Sequence, residues 1–468
     1  MRQRKVITLL VIAGVVMSLT SCGDVQSSTT ERVGEENTEE SSKGQSTADS
    51  NVETMHFVSE GKIEETVMVD ESDIKITATE LSYTDYDIRL NLTIENNSDK
   101  DLSFTSGSMG YGCNAINGYM IQGGYMNADV SAGKNTNETI RFNLDELSVY
   151  GITKIADIQV GFRITDDSYD VIYQGMGKVK TSLEASYNYK VDTFAENLKS
   201  KAIEKLTGGS VNYYSEENLY DQSGVKIVSE ALITNKDGEQ VILIEIENDS
   251  SELVYCTTSD IALNKMIVYS ALWTSDAVAP HTRCVASLSP LSLLDERYWE
   301  LFGISEIGEI SFTFAGTDGA WTEVTSPQEI SIALKKKVSP VNNKGDEVYN
   351  ENGIRIISKG LMEDTSEYSE DINMLFLVEN NSSEIIEIDD SYDSLSVNGY
   401  MVGYMIGSRE IPAGKCALVD VEIDDSSLQD SGIAGITGII GIAETEMTFE
   451  IRDGNYNVIA EPTVLVKY

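Results

Sequence analysis

Short runs in which apolar and polar residues alternate recur along the chain and predict β-strands. The spacing of two residues places the apolar side chains of each run on one face. The runs are Ile88, Leu90, Leu92 and Ile94; Ile242, Ile244 and Ile246; and Ile372, Met374, Phe376 and Val378. Each predicted strand therefore packs one face on a core.

The three runs end in nearly the same letters: IENNSDK at 94–100, IENDSSE at 246–252 and VENNSSE at 378–384. Asn, Asp and Ser favour turns because their short polar side chains bond to nearby backbone groups. We interpret the motif as the end of a strand. The alternative is a cation site in which Glu95, Asn96 and their counterparts supply the ligands.

Other blocks repeat in the same order around these runs. A similar strand precedes each run at 73–81, 224–232 and 353–361, and a similar block closes each copy at 151–172, 303–316 and 438–459. Phe162, Phe314 and Phe449 occupy equivalent positions in the closing block and are core candidates. Many short strands between turns, repeated three times, predict an all-β protein with three tandem immunoglobulin-like β-sandwich domains.

The predicted domains are residues 57–184, 217–338 and 339–468. A linker at 185–216 separates the first two. It is predicted to contain a short helix, because Thr193 and Glu196 have the spacing of a capping box. Its apolar face consists of Phe194, Leu198, Ile203 and Leu206, before Gly208 and Gly209.

The N-terminus predicts a secretion signal at residues 1–21. Arg2, Arg4 and Lys5 precede a 12-residue apolar run from Val6 to Met17. This run is shorter than the roughly 18 residues that favour a permanent membrane span. Residues 22–56 have few large apolar side chains and many Ser, Thr and Glu residues, which predicts a disordered tether.

The signal ends in Leu19-Thr20-Ser21-Cys22, which resembles the bacterial lipobox. In the lipobox the signal is cut before the cysteine, and the cysteine thiol receives a diacylglycerol. The resemblance implies lipidation of Cys22. The alternative is a chance cysteine after an ordinary signal.

The order of the repeated blocks, with closing strands that reach Phe162, Phe314 and Phe449, resembles the telokin-like, immunoglobulin-like domains of surface lipoproteins in Gram-positive Firmicutes. The resemblance covers residues 60–468, and its motifs are structural. It implies the sandwich fold and location on the extracellular face of the cell membrane. No catalytic residues and no cofactor come with it.

The chain is strongly acidic. It has 34 Lys and Arg against 77 Asp and Glu, a net charge of -43, which opposes long-range attraction to nucleic acid or anionic lipid. The excess could concentrate Ca²⁺ weakly or attract basic partners. The alternative is a soluble surface that repels copies of itself.

Residues for catalysis or metal binding are scarce. The chain has only two histidines, His56 and His281, so candidate residues for a histidine-based zinc site or a serine-type triad are few. We expect both histidines to be surface residues. Acidic pairs such as Asp166-Asp167 and Asp389-Asp390 are too frequent to indicate acid-base catalysis. No catalytic, metal or cofactor-binding residue is predicted.

Four cysteines besides Cys22 are present: Cys113, Cys256, Cys284 and Cys416. Four cysteines allow three pairings, but only Cys256 and Cys284 lie in the same copy. They form the candidate disulfide. The alternative is that they are buried thiols.

Two strings, GYMIQGGYM at 118–126 and GYMVGYM at 399–405, are the candidate binding surface. Tyr and Met are suited to adaptable contacts. The alternative is an aromatic strand that packs against a core.

These observations favour a lipid-anchored extracellular protein with a non-catalytic binding or spacing role towards an unknown envelope or extracellular partner. A second hypothesis is the solute-binding lipoprotein of a transporter, which requires alternating strands and helices. A third is an envelope hydrolase, for which the sequence shows no recognisable catalytic group. We expect no enzymatic activity.

Replacing Cys22 by Ala should abolish lipid attachment and leave the domains folded, because Cys22 lies outside every repeated block. Detergent partitioning of the variant tests this expectation. A variant that still enters the detergent phase like the unchanged protein contradicts the anchor assignment.

Overall fold

The computed structural model describes residues 57–107, 114–236, 238, 240–269, 273–288, 296–304, 306–335, 340–363, 372–430 and 439–468. Contacts divide the chain into two compact units. The first extends to Val211 and includes residues 235–238, and the second consists of residues 212–234 and 239–468. Apart from residues 235–238, both predicted domains at 217–338 and 339–468 therefore lie in the second unit.

Nearly all regular structure is β-strand. The first repeat contains β1 (Thr66–Glu71), β2 (Ile74–Tyr83), β3 (Asp87–Asn96), β4 (Leu102–Ser106), β5 (Asn114–Ile116), β6 (Tyr119–Ile121), β7 (Met126–Val130), β8 (Lys134–Asn143), β9 (Asp157–Asp166) and β10 (Val171–Lys180). The second contains β11 (Ser210–Ser215), β12 (Tyr220–Gln222), β13 (Val225–Thr234), β14 (Gln240–Asn248), β15 (Val254–Leu263), β16 (Met266–Tyr269), β17 (Trp273–Val278), β18 (Thr282–Leu288), β19 (Glu309–Thr317) and β20 (Gln328–Ala333). The third contains β21 (Asp346–Glu351), β22 (Ile354–Glu363), β23 (Ile372–Asn380), β24 (Ile386–Asp390), β25 (Ser396–Val397), β26 (Tyr400–Met401), β27 (Tyr404–Ile406), β28 (Arg409–Ile411), β29 (Cys416–Ile423), β30 (Glu444–Asp453), β31 (Val458–Ala460) and β32 (Thr463–Lys467).

The helices of the described chain are short. They are α1 (Leu144–Val149), α2 (Thr193–Lys199), α3 (Ala202–Thr207), α4 (Glu296–Leu301), α5 (Asp425–Asp430) and one 3₁₀ turn (Glu184–Ser186). The helices α1, α4 and α5 occupy the same place in the three repeats, before the closing block, and the sequence did not predict them. Within the described residues, no helix is long and apolar enough to cross a bilayer.

Each repeat folds into two antiparallel sheets that enclose a core, which confirms the predicted sandwich. The first sheet has the order β1-β2-β3-β8, and its counterparts are β12-β13-β14-β18 and β21-β22-β23-β29. The second sheet of the first repeat contains β6-β5-β9-β4-β7, with β10 beside β9. Its counterparts are β20-β19-β15-β16 and β26-β25-β30-β24-β28, with further short strands at their edges.

The predicted apolar faces lie in these cores. Phe162, Phe314 and Phe449 are fully buried. In the third repeat the Phe449 ring meets the Phe376 ring edge to face, with centroids 5.2 Å apart. Such pairs add about 0.5 to 1.5 kcal/mol beyond the burial of their surface. The closing block therefore supplies core residues, as its alternation predicts.

A buried asparagine explains the repeated strand ending. Asn96 is the last residue of β3 and is fully buried. Its side-chain Nδ2 donates to the carbonyl oxygens of Lys100 and Val130, both at 2.8 Å. Its Oδ1 accepts from the backbone nitrogen of Ser98 at 3.1 Å and from the Ser98 hydroxyl at 2.6 Å. The amide thus has four partners inside the protein.

The other two copies reproduce this arrangement. Asn248 and Asn380, also fully buried, each donate to the carbonyl four residues ahead and to the last carbonyl of a later strand. The acceptors are Glu252 and Val278 for Asn248, and Glu384 and Ile411 for Asn380, at 2.8 to 2.9 Å. Ser250 and Ser382 repeat the role of Ser98. The side-chain oxygen is occupied within the turn, which supports the turn interpretation over the cation site.

A second repeated asparagine turns a hairpin. Asn117, Asn264 and Asn398 have left-handed backbones with φ of 54°, 50° and 49°. The following residues, Gly118, Lys265 and Gly399, are also left-handed. Two successive positive φ angles are typical of the type I′ turn, in which Asn-Gly is strongly favoured.

The side chain of this second asparagine also bonds across to the start of the closing strand. Asn117 Nδ2 donates to the Lys154 carbonyl at 2.7 Å, and Oδ1 accepts from the backbone nitrogen of Ala156 at 2.7 Å. Asn264 and Asn398 make the equivalent bonds. The sequence revealed the matching asparagines but not this role.

The predicted linker helix is two helices, and its predicted cap is wrong. Asp192 is the N-cap of α2, because its side chain accepts from the Ala195 nitrogen at 2.7 Å. The Thr193 hydroxyl donates instead to the Tyr150 carbonyl at 2.7 Å. Lys201 adopts a left-handed backbone, φ 57°, and separates α2 from α3. Phe194, Leu198 and Ile203 are buried as predicted, and Leu206 is half-buried.

Within the second unit, the second and third repeats share one continuous sheet. The strands β16 and β29 pair in parallel, with Met266 opposite Cys416. The Lys415 side chain, almost buried, donates to the Ser311 hydroxyl at 2.8 Å and pairs with Glu329 at 2.7 Å. Phe302, Leu375 and Leu418 belong to an apolar cluster that also contains Met266. These two repeats therefore form one structural body.

Replacing Asn380 by Ala should destabilise the second unit by on the order of 3 kcal/mol, because it leaves buried backbone groups without partners. Urea unfolding of the full chain, followed by circular dichroism, measures this loss. Asn381→Ala is the matched control, since Asn381 is the exposed neighbour in the same turn. Equal unfolding midpoints for the two variants would contradict the role assigned to the buried amide.

Candidate functional site

The two Gly-Tyr-Met strings lie on equivalent hairpins. Each follows the left-handed asparagine turn, at Asn117 in the first repeat and at Asn398 in the third. The hairpins are β5–β6 and β25–β26. The same residues in the same local structure thus occur in two different environments.

In the first repeat most of the string belongs to the core, and Tyr125 is the exception at 50% exposed. Tyr119, Met120 and Met126 are 3%, 5% and 5% exposed. The Tyr119 hydroxyl donates to Asp192 Oδ1 at 3.1 Å and accepts from the Phe194 nitrogen at 3.4 Å. The start of α2 therefore lies over this tyrosine, and the core interpretation is confirmed for Tyr119, Met120 and Met126.

In the third repeat the equivalent side chains face solvent. Tyr400, Met401 and Met405 are 54%, 59% and 66% exposed. We call these three residues the Tyr–Met strip. Three exposed large apolar side chains within six residues of the chain are a candidate interaction site. The strip is therefore the best candidate for a functional surface among the described residues.

Strand register places the strip at sheet edges: Tyr400 and Met401 lie on the edge strand β26, where successive side chains point to opposite faces, and Met405 lies on β27, which pairs with β29 of the other sheet. Tyr400 lies opposite Val397, which is buried. The tyrosine therefore shares the core-facing side of the sheet with Val397, but it lies on the edge strand, where its side chain is exposed. Met401 lies opposite Ser396, which in turn lies opposite Glu446. The exposed Leu465 lies opposite Glu446 on the next strand. Since residues opposite one another on paired strands share a face of the sheet, Met401, Glu446 and Leu465 form one row that combines apolar and acidic side chains.

Hydrogen bonds hold the backbone beneath the strip. The Tyr404 hydroxyl donates to the Asp390 carboxylate and accepts from the Ser394 nitrogen at 3.2 Å. Burial, with the bond to Asp390, raises the pKa of Tyr404, so this hydroxyl stays protonated and able to donate. Gly403 donates its backbone N–H to the Ser427 hydroxyl at 2.5 Å. Met405, next to these anchored residues, is presented on a fixed strand.

The surroundings of the strip are acidic. Residues 339–468 contain 7 Lys and Arg against 25 Asp and Glu. Glu422 lies opposite Met405 on β29. Asp389 lies on β24 next to Asp390, which bonds to Tyr404, and burial raises the pKa of the Asp389 carboxyl. An apolar strip with carboxylates at its borders attracts cations and repels anionic ligands.

The candidate disulfide between Cys256 and Cys284 is not formed in the structure. Both residues are buried thiols. Cys256 lies on β15, opposite Gly316 of β19, and Cys284 lies on β18, opposite Ile246 of β14. These strands belong to different sheets of the sandwich, so shared membership of one repeat does not make the two thiols neighbours.

The remaining candidate residues do not gather into one site. Cys22, His56 and Cys113 lie outside the described residues. His281 is exposed at the turn between β17 and β18. In the described part of the chain, no group of three or more His, Cys, Asp or Glu residues is placed to hold a metal ion.

An ion pair between a buried glutamate and a partly exposed arginine in the second repeat escaped the sequence interpretation. Glu245 is fully buried on β14. Its carboxylate accepts from Arg283 at 3.1 Å and from the Ser229 hydroxyl at 2.7 Å. Both carboxylate oxygens thus have partners, which indicates a structural role. The one sequence signal is an acid within an apolar strand.

No protein-family model and no curated protein matches the chain. Among solved structures, it is similar to one from work on host cell surface retention of a 1.5-MDa bacterial ice-binding adhesin. The identity is 10%, over 82% of this chain and 90% of that one, with a TM-score of 0.13. It is also similar to the BSP domain of a biofilm associated protein, at 10% identity over 89% and 67% of the two chains, TM-score 0.14. A protein of unknown function from Porphyromonas gingivalis W83 shares 10% identity over 49% and 91%, TM-score 0.15. At such scores these likenesses carry no argument about function.

The buried thiols should resist modification in the folded protein. Burial raises the pKa of Cys416 to about 12, so on the order of one thiol in 10,000 is ionised at pH 8, and the thiolate is the reactive form. In a chain with Cys22→Ala and Cys113→Ser, Ellman's reagent should label no cysteine when native and three after unfolding in urea without reductant. One labelled cysteine after unfolding would instead show that Cys256 and Cys284 are joined.

Proposed function

We propose that the protein is a lipid-anchored, non-catalytic binding protein on the extracellular face of the cell membrane. The observation that carries this proposal is the Tyr–Met strip. The hairpin that buries Tyr119 and Met120 in the first repeat exposes Tyr400 and Met401 in the third. The sandwich core does not require these exposed side chains, so a partner is the better explanation of their size and apolar character.

The partner that fits the strip is a cationic protein segment with apolar side chains. Tyrosine and methionine supply adaptable apolar contact, and both are enriched in protein interfaces. Glu422 and Glu446, which share strand register with the two methionines, add negative charge beside that contact. Complementary charge speeds association and selects against acidic partners, including a second copy of this chain.

The anchor belongs to the same proposal. Lipidation at Cys22 and the tether at 22–56 would hold the sandwich repeats near the membrane with reach towards envelope partners. The resemblance to the repeated lipoprotein domains of Gram-positive Firmicutes supports this location. The acidic chain repels anionic lipid, which favours a surface that faces away from the membrane.

A solute-binding lipoprotein of a transporter fits the architecture less well. That class alternates strands with helices. The α-helices of the described residues are five segments of six or seven residues each.

The variant Tyr400→Ser, Met401→Ser, Met405→Ser should bind its envelope partner at least about tenfold more weakly, because buried anchor residues each contribute on the order of 1 to 2 kcal/mol. The partner is captured from cell envelopes with the unchanged chain, purified, and titrated against both proteins by biolayer interferometry. Affinity should also fall as salt rises.

The matched control is Tyr392→Ser, an exposed tyrosine of the same repeat outside the strip. It should bind like the unchanged chain. Equal affinity for the strip variant, or an equal loss in the control, would place the binding surface elsewhere.

A further inference from the structure

One solvent-exposed aromatic residue stands at the same turn position in each repeat. The residues are Tyr169, Trp321 and Tyr456, in the segments DDSYD (166–170), DGAWT (318–322) and DGNYN (453–457). Each segment follows the closing strand, β9, β19 or β30. We call the three residues the tip aromatics.

An aspartate organises each turn. Asp166 accepts the Tyr169 N–H on its carbonyl at 2.8 Å and donates its own N–H to the Asp170 carbonyl at 3.1 Å. Its side-chain Oδ1 accepts from the backbone nitrogens of Ser168 at 3.0 Å and Asp170 at 3.1 Å. The loop is therefore fixed from within.

The other two turns are built in the same way. Asp318 and Asp453 accept the N–H of Trp321 and Tyr456 at 3.0 and 2.9 Å. Their Oδ1 atoms each accept two further backbone N–H bonds at 2.8 to 2.9 Å. The three turns thus have the same hydrogen-bond pattern and place their aromatic residues at the same position.

The backbone at this position does not favour an aromatic residue. The φ angles of Tyr169, Trp321 and Tyr456 are 63°, 64° and 63°. A left-handed residue at the end of a three-residue hairpin loop is usually Gly, and bulky residues are outliers there. Strain that recurs at one position is a reason to look for function at that position.

Burial does not explain the rings either. Tyr169, Trp321 and Tyr456 are 84%, 60% and 69% exposed. Each therefore combines an unfavourable backbone with a side chain largely in water, three times in one chain. A contact made by the ring itself accounts for both features.

We propose that the tip aromatics are contacts for a neutral polysaccharide. A sugar ring has a face of C–H groups with slight positive charge, which stacks on the negative face of an aromatic ring. Its hydroxyls accept and donate hydrogen bonds at the rim. A single exposed ring suits this ligand, whereas an apolar peptide requires a wider patch.

The residues around each ring match the rim of such a ligand. Each loop carries a carboxylate, amide or hydroxyl beside the ring. None of the three segments contains Lys or Arg, and the one cation among the described residues that is bonded to an organising aspartate, Lys100, is neutralised by Asp166 at 2.7 Å. The neighbouring polar residues are Asp167, Ser168 and Asp170; Thr322; and Asn455 and Asn457. This composition favours hydroxyl groups and disfavours anionic polymers, as does the net charge of -43.

Repetition points to a polymer. A ligand that repeats its own unit can meet the same kind of contact on every repeat of the protein, and such contacts reinforce one another wherever one polymer chain reaches more than one of them. The tip aromatics share no residue with the Tyr–Met strip, so this inference does not depend on the proposed protein partner.

The test uses the full chain with Cys22→Ala and measures its depletion from solution by cellulose, chitin, xylan and starch, with polygalacturonate as the anionic comparison. Binding to at least one neutral polymer is expected. The variant Tyr169→Gly, Trp321→Gly, Tyr456→Gly should bind at least tenfold more weakly, and each single variant should lose less. The corresponding triple Phe variant should stay within threefold of the unchanged chain.

Glycine separates loss of contact from loss of fold. Because Gly adopts left-handed backbones without strain, the triple Gly variant should melt at the same temperature as the unchanged chain or higher. Tyr86→Ser and Tyr392→Ser, at exposed tyrosines away from the tips, should leave polymer binding unchanged.

Several outcomes would overturn the proposal. They are no binding to any of the four neutral polymers, binding confined to polygalacturonate, a loss under threefold in the triple Gly variant, or an equal loss in the Tyr86 and Tyr392 controls. A triple Gly variant that melts clearly lower would show that the rings stabilise the fold, and would remove the reason for assigning them to a ligand.

Discussion

The sandwich of every repeat depends on one buried carboxamide. Asn96, Asn248 and Asn380 each end a strand of the first sheet, at the point where the chain crosses to the second. Each amide nitrogen bonds to the turn of that crossing and to the last carbonyl of a strand from which the chain crosses back. One side chain therefore fixes both crossings. A buried carboxamide stabilises the fold only when its N–H groups and its oxygen all have hydrogen-bond partners. An unsatisfied polar group in a buried position costs about 1 to 3 kcal/mol.

Because buried residues stabilise the sandwich, exposed residues can serve other roles. The hairpin after Asn398 has the same backbone as the hairpin after Asn117, yet its tyrosine and methionines face solvent. The tip aromatics stand on turns whose aspartate supplies the necessary bonds without help from the rings. In both places the scaffold is complete without the exposed side chain. This separation of frame and surface is the structural basis of both proposals.

The sequence interpretation succeeded where local rules are strong. Alternation at Ile88 to Ile94 and the Asn-Ser ending predicted a strand and its turn, since both depend on neighbouring residues. It failed where distant residues compete. Thr193 has the spacing of a helix cap, but Tyr150 takes its hydroxyl and Asp192 caps the helix instead. Cys256 and Cys284 share a repeat, but the sandwich places their strands in different sheets. The charge pair of Glu245 and Arg283 was missed because its partners lie 38 residues apart.

By itself, the sequence determined the all-β class, the threefold repetition and the buried faces, because a period of two and a turn motif are recorded in adjacent letters. Tertiary structure decided which of the remaining apolar side chains are exposed. The strings at 118–126 and 399–405 are nearly the same. Whether the first tyrosine of each string is buried or exposed depends on what packs over the hairpin, as the start of α2 does over Tyr119. The tip aromatics show the same limit: DDSYD and DGNYN look like ordinary turns until the left-handed φ and the exposed ring are seen together. The burial of a side chain depends on residues that are distant in the sequence and that folding brings next to it, so the adjacent residues in the sequence do not reveal it.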